Sequence, residues 1–328
     1  MKRIKIGAIC VIVLMITLMS ISFVYANQIT LRVALFTAVD HPMTIGAEVT
    51  KKLIERRTNG EIQVDIFPGS QLGDNQEMLE GVIAGDIDIC MQGVQYVANY
   101  HPTIGILNAP YVFRDFDHAY KVLESEIVEE MNQELVEAIG VRMISHRKYG
   151  IRHVTTTNTP VKTPEDMKGL KLRCPDDRVS IELIRAMGAS PTPMAFSEVY
   201  LGLQQGVVDG QENPIPTIIS MNFQEVQDYL ILTGHTINMG WAFINENKWN
   251  SLTSEQQDIV ARAFDEGHAV NDYLIDKQSE EGLEIIRKAG VTIIEPDTEA
   301  FQEQVATKLY REQKIFPYEL YERIQAVK

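Results

Sequence analysis

Apolar and polar positions alternate with a period of two in several short stretches of the first half of the chain. This pattern predicts strands at 31–36 and 61–67 and a third strand from residue 87. Between the strands, apolar residues at helical spacing predict one helix that ends near Asn59 and another over about 75–85. Strands that alternate with helices in this way predict a parallel or mixed α/β sheet.

A second α/β unit follows the first. A helix is predicted over about 116–138, and it leads into a strand at 141–146. Short strands are predicted at 171–173 and 207–209, and the helices around them end in glycine. Two successive units of this kind predict two lobes.

A long helix is predicted near the C-terminus. From residue 253 the helical pattern continues for roughly 35 residues, with a capping box predicted at Ser254 and Gln257. Gly267 and Gly282 are the breakers within it. At about 1.5 Å per residue the helix would extend on the order of 50 Å, which is longer than one lobe is wide. We therefore expect it to lie across both lobes and to couple them.

The N-terminal segment has the organisation of a secretory signal peptide. Lys2, Arg3 and Lys5 precede an apolar run, and a small-residue cleavage pattern ends at Ala26. We predict that residues 1–26 are removed and that the rest of the chain works in the periplasm or otherwise outside the cytoplasm. The alternative is an uncleaved membrane anchor, because the apolar run approaches the length that spans a bilayer.

The charge of the chain excludes several partners. The formal net charge is −15, and the predicted signal peptide carries three basic side chains and no acid, so the remaining 302 of the 328 residues carry −18. Such a surface repels nucleic acid and anionic lipid, and we expect neither as a partner. If the ligand is an anion, specific cations must reverse the field around its site.

The residues that catalysis most often uses form no recognisable motif. Cys90 and Cys174 lie in apolar stretches and are expected to be buried thiols. The chain has no glycine-rich phosphate loop, no GxSxG or HExxH motif, and no metal-ligand spacing among its seven histidines. We therefore expect a protein that is not an enzyme and that uses no cofactor or metal. An exported enzyme acting on acidic sugars is the alternative class, since a pair of scattered carboxylates leaves no local pattern.

Four stretches together resemble the solute-binding subunits of tripartite ATP-independent periplasmic (TRAP) transporters, the DctP-like family. They are FPGSQLGDNQEML from Phe67, GVIAGDIDI from Gly81, MKGLKLRCP from Met167, and GASPTPMAFSEVYLGLQQGVVDGQENP from Gly188. The resemblance extends over essentially the whole chain after the signal peptide. It implies a two-lobed α/β fold like that of periplasmic binding proteins, with a hinge and a long helix spanning both lobes. It also implies a small organic acid as ligand and the membrane subunits of a TRAP transporter as partners; we expect a monomer.

The resemblance implies roles for four residues of the second unit. Arg173 and Arg152 would bind the carboxylate of the ligand, Asn213 would add an amide contact, and Phe196 would pack against the ligand. The guanidinium of arginine suits this role because its planar fork donates two parallel hydrogen bonds to a carboxylate. The alternative for each arginine is a structural ion pair with one of the many acids, and Arg147 lies in the same stretch as Arg152.

The first unit and the hinge are expected to contact the rest of the ligand. The predicted residues are His41, Asn75, Glu77, Gln92 and Tyr149. Three of them have structural alternatives, because Asn75 can cap a helix, Glu77 can complement the helix dipole, and His41 can begin a helix before Pro42. Sialate-binding members carry a carboxylate where this chain has Gly93, which counts against sialate.

These groups favour a sugar acid, such as a uronate or aldonate, as the ligand. A C4-dicarboxylate would need further cations facing the arginines. A C4-dicarboxylate, sialate and an aromatic acid stay alternatives. We expect the acid to dock on the arginines before the hinge closes. Lobe I is predicted to comprise residues 27–150 and 239–278, and lobe II residues 151–238 and 279–328.

Overall fold

The structure, a computed structural model, describes residues 28–328, so the predicted signal peptide and its cleavage site lie outside the described residues. The strands are β1 (Ile29–Leu35), β2 (Ile62–Phe67), β3 (Ile89–Gly93), β4 (Val141–Thr156), β5 (Lys171–Cys174), β6 (Ser190–Pro193), β7 (Gly210–Pro214), β8 (Tyr229–Asn245) and β9 (Thr292–Ile294). The helices are α1 (Pro42–Arg57), α2 (Asn75–Ala84), α3 (Phe116–Leu123), α4 (Glu126–Ile139), α5 (Arg178–Met187), α6 (Val199–Gln204), α7 (Ile215–Ser220), α8 (Glu246–Ser251), α9 (Ser254–Lys288), α10 (Thr298–Ala306) and α11 (Tyr318–Ala326).

One nine-stranded sheet runs through the described chain in the order β2-β1-β3-β8-β4-β7-β5-β6, and β9 pairs with β8. The long antiparallel strands β4 and β8 belong to both halves of this sheet. Strand β3 pairs with the C-terminal end of β8, whereas β7 pairs with the C-terminal end of β4. The fold is therefore mixed α/β and two-lobed, as predicted, with β4 and β8 shared between the lobes.

The passage of β4 from one half to the other is irregular. The pairing register with β8 shifts between Lys148 and Gly150, and Gly150 has a φ of +127°, which other residues rarely adopt. The long helix holds this point, because the Lys148 amide donates to Asp272 at 2.8 Å and Asn271 donates to the Lys148 carbonyl at 2.8 Å. The sequence pattern predicted only the first part of β4, since its alternation ends at this bulge.

Helix α9 has the predicted length of 35 residues and packs against α1, β4 and α7. Its capping box is formed by Thr253 and Gln256, one residue earlier than the predicted pair Ser254 and Gln257. The glycines predicted as breakers instead permit close helix packing. A Cβ on Gly267 would lie 2.6 Å from a backbone oxygen of α1, and a Cβ on Gly282 would lie 2.5 Å from side chains of α7.

Three other predictions of secondary structure differ from the structure. The helix predicted over 116–138 is divided into α3 and α4. The strand predicted at 207–209 begins instead at Gly210. Helix α11 was not predicted, and it returns to the first half of the chain, where Arg323 pairs with Glu130 at 2.7 Å.

The buried apolar residues form two clusters, and the smaller one lies around β5, α5 and α10. Cys90 belongs to the larger cluster and Cys174 to the smaller one, and both are free thiols, as predicted. Within residues 28–328, no helix is both long and apolar enough to cross a bilayer. The same residues contain no group of three or more acidic, histidine or cysteine side chains arranged to hold a metal ion.

Candidate ligand-binding site

The carboxyl ends of four strands meet at one place between the two halves of the sheet. Strands β1 and β3 run parallel in the first half, and β5 and β7 run parallel in the second. Open α/β sheets bind ligands beyond the carboxyl ends of their strands. An enclosed cavity lies there, lined by Phe36, Gly93, Gln95, Tyr96, Tyr149, Arg152, Arg173, Pro175, Phe196, Asn213 and Asn238.

The enclosed cavity has a volume of about 20 Å³, which is enough for a water molecule. A larger cleft of about 420 Å³ lies beside it. Tyr96 from the first half and Phe196 from the second line both spaces. These two rings therefore form the wall between the cavity and the cleft, and a sugar-sized ligand needs them to move apart.

Arg173 lies at the carboxyl end of β5 and is 1% exposed. Its Nε and Nη2 donate to the carbonyl of Met194 at 3.1 and 2.8 Å, and its guanidinium lies 5.8 Å from the centre of the Phe196 ring. No acidic side chain of residues 28–328 lies within ion-pair distance of it. Burial disfavours the charged form and lowers the pKa of Arg173.

Arg152 is also buried, but it has an acidic partner. Its Nε and Nη2 donate to the carboxylate of Glu212, and Nη1 donates to Asn238 at 3.0 Å. Glu212 accepts a further hydrogen bond from His235 at 3.1 Å. Burial opposes the ionisation of Glu212, yet Arg152 and His235 together lower its pKa to about 2. The structural alternative for Arg152, an ion pair with an acid of the chain, is therefore present.

The charged side chains that line the cavity are two guanidinium groups. One of them, Arg152, forms an ion pair with Glu212, and the other, Arg173, has no acidic side chain within ion-pair distance among residues 28–328. When one partner of a buried ion pair is removed, the protein loses roughly several kcal/mol of stability. A buried charge that has no partner is therefore less favourable than a paired charge by a similar amount. The residues that line the cavity therefore favour one negative charge in a ligand.

Gln95 has a polar side chain with a hydrogen-bond acceptor that the described residues do not satisfy. Its Oε1 is buried and has no hydrogen-bond partner among the described residues. The amide folds over Gly93, where an added Cβ would lie 2.0 Å from Gln95 Oε1. Gln95 thus fills the space that a side chain at position 93 would need.

Three of the aromatic rings that line the cavity pack against one another. Phe36, which follows β1, meets the Phe196 ring edge to face with 5.1 Å between the centroids, and its ring lies 5.9 Å from that of Tyr149. The Tyr149 hydroxyl is hydrogen-bonded to Thr217 at 2.9 Å. Asn213, the next-to-last residue of β7, accepts from Arg152 at 3.1 Å and donates to Gln211.

The structure brings five of the nine predicted residues to the enclosed cavity. They are Tyr149, Arg152, Arg173, Phe196 and Asn213. A sixth, Asn75, lines the larger cleft and donates to Gln92 at 3.1 Å. Gln92 lies buried behind it with an unpartnered Nε2, and Arg147 lies outside the cavity, where it donates to His268.

The structure does not bring Glu77 or His41 to either space. Glu77 completes the capping box of α2 by accepting from the Asp74 amide at 2.8 Å. His41 is the N-cap of α1 and accepts from the Met43 amide at 3.1 Å. For Glu77 the structural alternative, a role at the helix terminus, describes the geometry. His41 does not line the cavity, but it contacts Thr217 and the ring of Tyr149, which does.

Six lining residues were not among the predicted site residues. They are Phe36, Gln95, Tyr96, Asn238, Gly93 and Pro175. The first three directly follow strands β1 and β3, so the rule that ligands bind beyond strand ends could have found them. Asn238 lies within the long strand β8, and no pattern in the sequence distinguishes it from its neighbours.

Comparison with known proteins agrees with this geometry. Residues 33–315 match the family described as bacterial extracellular solute-binding protein, family 7, or DctP. The chain is 35% identical over 283 residues to the sialic acid-binding periplasmic protein SiaP of Vibrio cholerae, covering 86% of this chain and 88% of that protein. A TRAP periplasmic solute-binding protein from a Polaromonas species, bound to D-erythronate, superposes with a TM-score of 0.87 at 31% identity, covering 92% and 99% of the two chains. Another from Roseobacter denitrificans, bound to L-galactonate, gives 0.86 at 30% identity, with 92% and 99% covered.

The family is periplasmic, and its members bind small organic acids and work with membrane subunits. They are binding proteins of transporters and not enzymes. The chain therefore belongs to bacterial extracellular solute-binding protein family 7 and is a solute-binding protein of the TRAP transporter class.

Proposed function

We propose that the protein binds a sugar acid with one carboxylate, such as an aldonate or a uronate, in the enclosed cavity. The observation that carries this proposal is Arg173, a buried guanidinium beside the cavity without an acidic partner among the described residues. Its free donors and the neighbouring Arg152 present a positive, directional surface to a carboxylate.

The charge count favours a monocarboxylate over a C4-dicarboxylate. Arg152 and Arg173 are the charged residues that line the enclosed cavity, and Glu212 offsets one of them. A second ligand carboxylate would be buried without a cation of its own, at a cost of several kcal/mol.

The polar groups opposite the arginines favour a ligand with hydroxyls. The buried Oε1 of Gln95 needs a donor, and a hydroxyl of a sugar acid supplies one. The neighbours bound to D-erythronate and L-galactonate carry acids of this class. An aromatic acid would leave this acceptor unsatisfied.

Sialate is the less favoured member of the sugar acids, although SiaP of Vibrio cholerae is a relative. Gly93 supplies no carboxylate, and Gln95 occupies the space above it. A bulky nine-carbon acid would have to displace this side chain, whereas a short aldonate needs a smaller opening of the wall formed by Tyr96 and Phe196.

Closure of two lobes around the acid completes the proposed mechanism. Tyr96 and Phe196 come from different halves of the sheet, so separation of the lobes opens the cavity to the cleft. The proposal includes the predicted lobe boundaries, ligand contacts of Arg173, Arg152, Asn213, Phe196 and Tyr149, a cleaved signal peptide and a monomeric state. The C-terminal helix α11, which pairs with Glu130 of the first half, links the lobes as well.

The test is a binding screen. Purified protein from residue 27 onward would be titrated calorimetrically with D-erythronate, L-galactonate, D-glucuronate, succinate, N-acetylneuraminate and benzoate. We expect micromolar or tighter binding of at least one of the first three acids and at least tenfold weaker binding of the others. Tightest binding of succinate would contradict the charge count, and tightest binding of benzoate would contradict the role of Gln95.

A further inference from the structure

A chain of hydrogen bonds joins the first helix to the cavity. His41, the N-cap of α1, lies 3.2 Å from the hydroxyl of Thr217 on α7, and Thr217 lies 2.9 Å from the hydroxyl of Tyr149. His41 and Thr217 are fully buried, and Tyr149 is nearly so. The rings of His41 and Tyr149 also stack, with centroids 5.6 Å apart and an angle of 29° between the planes.

The position of every proton in this series of hydrogen bonds follows from His41, its first residue. The backbone amide of Met43 can only donate, so His41 Nδ1 accepts and carries no proton. Burial and Arg147 lower the pKa of His41 to about 3, so the imidazole is neutral at ordinary pH. Nε2 therefore carries the ring proton, and it donates that proton to the Thr217 oxygen.

Thr217 continues the same direction of hydrogen-bond donation. Its oxygen accepts from His41, and its own proton is then donated to the Tyr149 oxygen. The opposite direction would leave the Thr217 proton without an acceptor inside the protein, because Thr217 is fully buried and does not line the cavity. A buried donor without a partner is costly, so the direction from His41 to Tyr149 is favoured.

The Tyr149 hydroxyl proton has no acceptor within this series of hydrogen bonds. Burial raises the pKa of Tyr149, so the hydroxyl keeps its proton. Among residues 28–328 its one hydrogen-bond partner is Thr217, which already donates to it. Tyr149 lines the cavity together with Arg152 and Arg173, where the carboxylate of a ligand would lie.

We propose that Tyr149 donates its hydroxyl proton to an oxygen of the bound acid, and that His41 and Thr217 are positioning residues that fix the direction of this donation. The inference rests on the proposed function, since it requires an anionic ligand in the cavity. It assigns His41 an indirect role in place of the predicted contact. It also links recognition to the lobe arrangement, because His41 belongs to the first half of the chain and Thr217 to the second.

The experiment is a double-mutant cycle on affinity, measured by calorimetry with L-galactonate and D-erythronate. Tyr149→Phe removes the donated proton and should weaken binding about 10- to 100-fold, as expected for a hydrogen bond to a charged group. Thr217→Val removes the relay at nearly constant shape and should weaken binding about threefold to tenfold. Thr217→Ser keeps the hydroxyl and is the matched control, with affinity within about twofold of the unmodified protein.

The decisive comparison is Thr217→Val in the background of Tyr149→Phe. We expect no further loss there, because the relay acts only through the tyrosine proton. An equal loss in both backgrounds would overturn the relay, as would Tyr149→Phe binding as tightly as the unmodified protein. His41→Asn is a second variant that interrupts the relay. Asparagine can keep the cap on α1 but lacks the Nε2 donor, so this variant should lose as much affinity as Thr217→Val.

The outcomes separate this inference from the proposed function. If the unmodified protein binds neither acid, the ligand class is wrong, and the inference that depends on it falls too. If it binds and the cycle shows no coupling between Thr217 and Tyr149, the relay alone is refuted and the sugar-acid proposal stands.

Discussion

Exchange of the two buried arginines for methionine should separate a structural cation from a ligand-binding one. Arg152 is paired with buried Glu212, whereas Arg173 has no acidic partner in the described chain. Methionine resembles the aliphatic part of arginine and leaves no large cavity. The two variants therefore differ mainly in the charge that remains behind.

The expected magnitudes follow from these partners. Arg152→Met leaves the Glu212 carboxylate buried with His235 alone, and breaking a buried pair in this way costs about 3–5 kcal/mol of unfolding free energy. Arg173→Met removes an uncompensated buried charge and loses the hydrogen bonds to Met194, which offset each other to within about 1 kcal/mol. Ligand affinity should fall by more than about a hundredfold in Arg173→Met, because the carboxylate then lacks its partner.

Urea unfolding without ligand and calorimetry with L-galactonate measure the two quantities. Arg152→Met combined with Glu212→Gln is the control, and it should recover much of the stability that Arg152→Met loses. The reasoning is refuted if Arg173→Met destabilises the protein as much as Arg152→Met does, since Arg173 would then have a structural role that the observed contacts do not explain.

Three further predictions concern specificity, pH and salt. Gln95→Leu removes the unsatisfied acceptor, and calorimetry should show affinity for L-galactonate falling about tenfold relative to that for an acid without hydroxyls, such as propionate; equal losses would contradict the hydroxyl contact. His41 has a pKa of about 3 in the folded protein and 6.5 in the unfolded chain, so its contribution to stability is complete above about pH 6.5 and is lost as the pH falls towards 3. Urea unfolding should therefore show the protein losing about 3 kcal/mol more than His41→Asn between about pH 7.5 and 4.5, and parallel curves would be the contrary result. Finally, Asp74, Asp176 and Glu198 line the outer cleft of an acidic chain, so the association rate constant for a sugar acid should rise with ionic strength in stopped-flow measurements; a fall would indicate attraction by cations outside the cavity.

Much of the architecture was predictable because its causes are local. Alternating apolar residues mark β1 and β2, and a helical pattern with Gly267 and Gly282 as its breakers marks the 35 residues of α9. Arg173 was singled out by the resemblance of MKGLKLRCP to the TRAP solute-binding family, and the structure places it beside the cavity. The division of the helix at Glu124 and the bulge near Lys148 were missed because a pattern of polarity does not report a local break in hydrogen bonding.

Tertiary structure decides which side chains meet in the cavity and how their charges and hydrogen bonds combine. Sequence identifies which arginines are available, but only the fold shows that Glu212 neutralises Arg152 and that no acid of residues 28–328 forms an ion pair with Arg173. His41, Thr217 and Tyr149 are far apart in the chain and meet because the fold brings α1, α7 and β4 together. The class of protein and its acidic composition thus follow from the order of residues alone. Charge balance and hydrogen-bond direction depend on distances of about 3 Å between side chains that only the folded chain brings together.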